Sequence, residues 1–307
     1  DVERSRGLGD VYKRQTQDAA NTRSAMESIS FSGGIDWLLV DHYGIDRRWH
    51  AAMRNSTQRI GVIDDLADRL LDADLLLDQN LGHRAADYDQ VVSENCTRLI
   101  GLEYALLRDE FSQWRQRSLD RRAAGQLQHL TINLGGMDAD NLSSRLLENL
   151  RQSGYLDRLE VDVILGPTAP HREALQRQVQ KTNRDLMAAT PDRNERLRLA
   201  VGVSNMAERL AQTDLVIGAA GSSSWERCCL GVPTLVLVIA ANQSSLAREL
   251  EEAGAAVALD IADLNYPEKL SQTLAGMSTK LVAMQNSASG LLDGRGTERV
   301  VAHMLSE

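Results

Sequence analysis

The residues with the most chemistry per position lie between Asp214 and Gln243. Gly218 and Gly221 bracket a tight turn, and three hydroxyls follow at Ser222, Ser223 and Ser224. Glycines let a backbone approach a ligand closely, and N–H groups left open at the start of a helix bind phosphate. The three serines add donors at the same place. Glu226 lies one turn inside, where a carboxylate can reach a ribose diol. Equally, residues 223–226 read Ser-Ser-Trp-Glu, the spacing of a capping box in which the glutamate only closes the helix start. Residue types alone leave both readings of Glu226 open.

The elements that must position these groups follow from the flanking sequence. Residues 215–217 form a short apolar run, as expected of a strand buried on both faces. Gly231 stands where a helix C-cap glycine belongs, Pro233 stops the helix, and the β-branched and apolar run 234–239 is the next strand. The same strand, loop and helix alternation runs along the whole chain. Strands are predicted at 36–40, 59–63, 73–77, 97–100, 130–134, 159–165, 197–203 and 256–259. Helices are predicted at 17–29 (ended by Gly33 and Gly34), 48–54, 111–122, 171–181 and 206–213. Further helices end near Gly254 and span 266–277, 280–292 and 297–305. Asp138 or Asp140 caps another helix, running to about Ser153. Alternating strands and helices imply parallel sheets. The expectation is an α/β chain of two doubly wound Rossmann-like domains facing a cleft, at 16–124 and 125–307. The first is expected to be incomplete, with the last helix packing back on it. Ligands in such sheets sit outside the carboxyl ends of the strands. The loops 41–44, 135–138, 204–206, 218–224 and 240–243 all follow strands and are expected to face that cleft.

Composition narrows the partners. The 307 residues suit two domains, and 43% hydrophobic content supplies their cores. A formal net charge of -9 argues against nucleic acid and anionic membranes as main partners, since both need a basic face. No apolar run approaches the roughly 18 residues of a membrane span. A cytoplasmic monomer acting on a small molecule is expected. Three cysteines, two of them adjacent at Cys228 and Cys229, give neither a disulfide framework nor a zinc spacing. The carboxylate pairs Asp64-Asp65 and Asp138/Asp140 read as caps and turns, so neither a metal nor a cofactor is expected. Trp225 is expected to pack and not to stack on a base, and His171 to lie at the surface. Residues 10–15 are similar to the in-frame translation of a library-preparation adapter, so 1–15 are expected to be non-native.

The loop Gly135-Gly136-Met137-Asp138, together with the glycine, serine and Trp225-Glu226 pattern of 214–231, resembles the nucleotide-sugar domain of two-domain, GT-B-like glycosyltransferases. More narrowly, residues 36–44, 62–68, 74–80, 104–111 and 240–243 resemble the UDP-2,4-diacetamido-2,4,6-trideoxy-β-L-altropyranose hydrolases of pseudaminic acid biosynthesis, over about 16–307. The resemblance implies a UDP-sugar substrate, hydrolysed without metal at the anomeric carbon with release of UDP. It implies that Gly135, Gly136, Gly221 and Ser222 to Ser224 hold the nucleotide sugar. Met206 meets the uracil through backbone groups, and Glu226 takes the ribose. Asn242 and Gln243 bind or orient the sugar. His42 and Tyr43, at a strand end, contact the sugar or the attacking water, although a loop histidine and a packing tyrosine fit the same positions. One departure stands out. The family's general base is a histidine in a Gly-x-Gly-His turn, and here only residues 7–10 have that shape, with Asp10 in place of histidine. Since general bases contribute about 10²–10⁴-fold, a nearly inactive fragment is expected. A glycosyltransferase using the same site, or a UDP-sugar-binding remnant, are the competing expectations.

Overall fold

Short Leu-, Ile- and Val-rich runs separated by glycine loops leave the chain little choice but parallel strands with helical crossovers. The computed structural model describes residues 2–28, 34–122, 124–189, 195–240 and 243–306, with side chains from residue 15 onward. The chain divides into two units, Asp1–Tyr104 with Arg299–Glu307, and Ala105–Glu298.

The first unit holds a four-stranded parallel sheet of β1 (Trp37–Asp41), β2 (Arg59–Ile63), β3 (Leu75–Asp78) and β4 (Thr97–Ile100), in that spatial order. Among the described strands this order has no reversal. Side chains of β3 alternate between faces as a strand requires. Leu76 joins Trp49, Met53, Ile60, Val62 and Tyr88 on one side, while Leu75 and Leu77 meet Leu99 and Val300 on the other. Trp49 and Met53 come from α2 (Arg47–Met53), whose first turn is capped by the Asp46 carboxylate accepting from Arg48 N–H. Val300 comes from α11 (Gly296–Ser306), and the Trp37 indole N–H donates to the Met304 carbonyl of the same helix at 3.0 Å. Helix α1 (Val2–Ser28) starts well before the expected residue 17. It runs through Gly7 and Gly9, and beyond them no glycine or proline lies between Asp10 and Thr16 to break it. Gly33, expected to end that helix, lies outside the described residues.

The second unit holds a six-stranded parallel sheet: β5 (His129–Asn133), β6 (Glu160–Leu165), β7 (Leu197–Val201), β8 (Leu215–Ala219), β9 (Thr234–Val238) and β10 (Ala256–Asp260). Their order, β10-β9-β8-β5-β6-β7, is the doubly wound Rossmann arrangement, with the winding reversed between β5 and β8. Helices α4 (Leu142–Gln152), α5 (Arg172–Ala189), α6 (Met206–Ala211), α7 (Ser223–Cys229), α8 (Ser244–Glu252), α9 (Tyr266–Ala275) and α10 (Leu281–Leu291) alternate with and follow the strands. Leu130, Ile132, Val161, Val163, Leu215, Ile217, Leu235 and Leu237 form the buried centre.

Helix α3 (Asp109–Arg122) belongs to this second unit, so the division falls at Tyr104 and not at the expected 124. The helix is polar, and its attachment is polar too. The buried Ser118 hydroxyl donates to the Leu230 carbonyl at 2.7 Å, and the buried Arg122 guanidinium donates to the Thr213 carbonyl at 2.7 Å. An apolar stripe, the usual sequence sign of a packed helix, is therefore weak here. Helix α7 ends as its glycine requires. Gly231 has φ +61, its N–H donates to the Cys228 carbonyl, and Val232 N–H donates to the Arg227 carbonyl at 2.8 Å, a Schellman closure. Among the described residues no helix is long and apolar enough to cross a membrane.

Candidate functional site

At the reversal between β5 and β8 the connecting loops leave in opposite directions and open a crevice at the carboxyl edge of the sheet. The pocket there has a volume of about 450 Å³ and is lined by segments following β5, β6, β7, β8 and β9. Gly135, Gly136, Met206, Gly221, Ser222, Ser223, Glu226 and Gln243, all expected from sequence, line it together. Ser224 does not, and Asn242 lies outside the described residues.

The pocket wall is built on close backbone approaches. Gly166 N–H donates to the Gly136 carbonyl at 2.9 Å, and a Cβ at Gly166 would stand 2.5 Å from that oxygen. Only glycine fits there. Gly135 has φ +94, which lets the β5 loop turn back over the crevice. The Asn133 amide donates to the Ile164 carbonyl at 3.2 Å and ties the ends of β5 and β6. Asn133, Gly166, Pro167 and Gly202 were not singled out by sequence reasoning. The only available signal was their position at the carboxyl ends of predicted strands or just beyond them.

Helix α7 departs from expectation at its start. Ser222 is the cap residue and makes no side-chain cap bond, so the expected box between Ser223 and Glu226 does not form. Arg227 competes for the serines. Spaced four and three residues away, it lies over the same face of the helix. Its Nη1 donates to Ser223 Oγ at 3.0 Å, and its Nη2 to Ser224 Oγ at 2.9 Å. Ser224 is 1% exposed and turned away from the pocket, which corrects its expected place beside Ser222 and Ser223. Glu226 is freed from capping and lines the pocket instead. Burial raises its pKa above the ordinary carboxylate value, while Arg108, 4.0 Å away, pulls it back down. Gln243 Oε1 accepts from Ile239 N–H at 3.1 Å, which ties Gln243 to the end of β9.

His42 and Tyr43 belong to the first unit, where β1 ends. His42 is exposed, and its Nδ1 accepts from Gly44 N–H at 3.0 Å. That bond places the neutral ring's proton on Nε2, so the outward nitrogen is a donor and not a base. Tyr43 is 58% exposed, which removes the packing reading. Partial burial and then a hydrogen bond with Asp65 push its hydroxyl up to about 12. Sequence reasoning passed over a third histidine arrangement. His83 Nδ1 lies 2.5 Å from the buried Asp78 carboxylate, which also accepts from the Tyr88 hydroxyl at 2.9 Å. Of the carboxylates weighed as metal ligands, Asp64 and Asp138 are engaged as caps or in an ion pair. Asp64 accepts from Leu66 and Ala67 N–H and pairs with Arg69 at 2.6 Å, and Asp138 accepts from Leu142 and Ser143 N–H. Trp225 is 2% exposed, and His171 Nε2 meets the Ala139 carbonyl at 2.9 Å.

Residues 133–293 match the glycosyltransferase family 28 C-terminal domain. Among curated proteins, the chain is 25% identical to the spore coat polysaccharide biosynthesis protein SpsG of Bacillus subtilis over 66% of this chain and 56% of that one. It is 24% identical to the UDP-2,4-diacetamido-2,4,6-trideoxy-β-L-altropyranose hydrolase of Campylobacter jejuni over 72% of each. The chain spans about half the length of the first curated relatives it matches, 56% of SpsG and 42% of the Methanocaldococcus jannaschii protein MJ1062. Among solved structures, it is similar to Acinetobacter baumannii MurG, with a TM-score of 0.55 and 19% identity over 84% of this chain and 76% of that one. It is also similar to an S. aureus MnaA–UDP co-structure, with a TM-score of 0.60 and 11% identity over 94% and 78%. These likenesses identify the fold as α/β, Rossmann-like and GT-B-related.

Proposed function

We propose a function from one premise: the chain belongs to the glycosyltransferase family 28 C-terminal domain family. The second unit binds a UDP-sugar in the pocket at the carboxyl edge of its sheet, and the chain serves cleavage of the anomeric C–O bond with UDP as leaving group. The observation that carries this reading is the convergence of the β5 glycine loop, Met206, the Gly221–Ser223 turn, Glu226 and Gln243 on one pocket. Each supplies a group the ligand needs. The glycine loops offer backbone amides to the diphosphate, and Ser222 and Ser223 offer hydroxyls. Met206 opens α6 beside the place for a base, and Glu226 offers acceptors to the ribose hydroxyls. As C–O cleavage proceeds, charge grows on the diphosphate, so donors fixed in advance stabilise the transition state more than the bound substrate.

Water is the acceptor on the first reading, giving hydrolysis of UDP-2,4-diacetamido-2,4,6-trideoxy-β-L-altropyranose; the likeness to the Campylobacter hydrolase over 72% of each chain supports it. On this reading Tyr43 and Asn242 serve the sugar, and His42, with its proton on Nε2, serves as a donor and not as the base. Transfer to a second sugar or other acceptor is the alternative, supported by the family match. Calorimetry with UDP tests the binding claim, and UDP release from that substrate with and without acceptor tests the reaction. A chain that binds UDP no better than uridine would refute the nucleotide-sugar reading. Release that depends on an added acceptor would favour transfer.

A further inference from the structure

A charged side chain lies beneath the pocket floor with nothing anionic bonded to it. Arg227 is 2% exposed. The hydrogen bonds it donates end on three neutral oxygens: Ser223 Oγ at 3.0 Å, Ser224 Oγ at 2.9 Å and the Ala219 carbonyl at 2.9 Å. Its Nε has no partner. The adjacent Glu226 carboxylate acts on it only through space. Burial pushes the guanidinium down to about 10, which still leaves it charged at neutral pH. Strand β8 is shaped around it, since a Cβ at Gly218 would stand 2.9 Å from Nη1. Arg122 is the instructive contrast. It is equally buried and its Nε likewise has no partner, but its donors reach the carbonyls of Thr213 and Leu230 past the ends of α6 and α7, where helix termini are negative. An unmatched buried charge is costly, and an incoming anion is what offsets it.

We propose that Arg227 is a positioning residue that sets this pocket for the diphosphate of a nucleoside diphosphate. By donating to Ser223 Oγ it fixes that oxygen as an acceptor and turns the hydroxyl proton toward the pocket, where Ser223 then donates to a phosphate oxygen. Its own charge lies one side chain behind that contact. The inference rests on the nucleotide-sugar reading and adds a residue that does not line the pocket.

The test is calorimetric titration with UDP and, separately, with uridine, on the wild type and on Ser223→Ala, Arg227→Lys and Arg227→Met. Ser223→Ala is expected to lose about 10-fold in UDP affinity and nothing for uridine, the scale of one charge-assisted hydrogen bond. Arg227→Met is expected to lose about 100-fold for UDP with uridine unchanged, and Arg227→Lys to recover part of that loss by restoring charge. A purely structural role for Arg227 would weaken both ligands together, so parallel losses overturn the inference. Unchanged UDP affinity in Ser223→Ala overturns it as well, whether or not the Arg227 variants fold. A wild type that prefers UDP, with the preference intact in Arg227→Met, refutes this inference alone. A wild type with no preference refutes the nucleotide reading beneath it.

Discussion

Gly166→Ala should damage the protein in a way that Gly221→Ala does not, although both glycines line the same pocket. A methyl at 166 would stand 2.5 Å from the Gly136 oxygen, 2.9 Å from its Cα and 3.0 Å from its carbonyl carbon. All three are backbone atoms, so no side chain can rotate aside. Restoring van der Waals distance moves the β5 loop by about 1 Å and strains or breaks the Gly166–Gly136 hydrogen bond, now 2.9 Å. Overpacking costs about 1–3 kcal/mol and the weakened bond about 0.5–1.5 kcal/mol, together about 1.5–4.5 kcal/mol. For a unit of this size that is a fall of about 3–18 °C in Tm. At Gly221 a Cβ meets nothing within 4 Å, and its φ is not in the left-handed region, so Gly221→Ala should change stability by less than about 0.5 kcal/mol. Thermal unfolding followed by circular dichroism measures both variants, and UDP calorimetry reports on the wall. A Gly166→Ala protein with wild-type Tm and UDP affinity would show that the two loops do not meet as described. Equal destabilisation by both changes would refute the argument from local space.

Glu226→Gln should cost about 10–100-fold in UDP affinity and much less with 2′-deoxy-UDP, if the carboxylate accepts from the ribose diol; equal losses for both nucleotides would refute that role. Because burial raises the Glu226 pKa, wild-type UDP affinity should be full above that raised value and decline as pH falls through it, a slope that Glu226→Gln removes. Gly231→Ala should destabilise by about 1–3 kcal/mol in urea unfolding, since φ is +61 and a Cβ would stand 2.5 Å from Leu119 Cδ2. His50 is fully buried, and burial lowers its pKa to about 4. The unfolded chain binds a proton there near pH 6.5, so the native state should be unaffected above that pH. It should lose up to about 3 kcal/mol as pH falls from 6.5 to 4. Trp49, whose ring lies 6.0 Å from His50, gives a fluorescence readout, and His50→Gln should flatten the slope.

Much of this fold could be read from period and punctuation. The bounds 59–63 and 97–100 were recovered to the residue, because apolar β-formers there are closed by Asp64 and Gly101. The nucleotide-side loops also emerged, since in a parallel sheet the loops after strands all reach one edge. What stayed hidden turned on competition between groups of equal local merit. Three consecutive serines are chemically alike in sequence. Helical phase then exposes Ser222 and buries Ser224, and a buried arginine decides that Ser223 accepts from it and not from the backbone. The capping-box spacing was real but lost to that guanidinium. Helix α3 was misallocated for a related reason: its attachment runs through Ser118 and Arg122 hydrogen bonds, which leave no apolar stripe to find. His42 shows the limit most sharply. Its position at a strand end was legible, but which ring nitrogen is basic depends on one backbone N–H, that of Gly44. The same rule singles out His83, whose Nδ1 faces the Asp78 carboxylate and whose Nε2 is thereby left as the acceptor. Hydrogen-bond partners, not residue type or spacing, decide which ring nitrogen each of these two histidines turns outward as acceptor or donor.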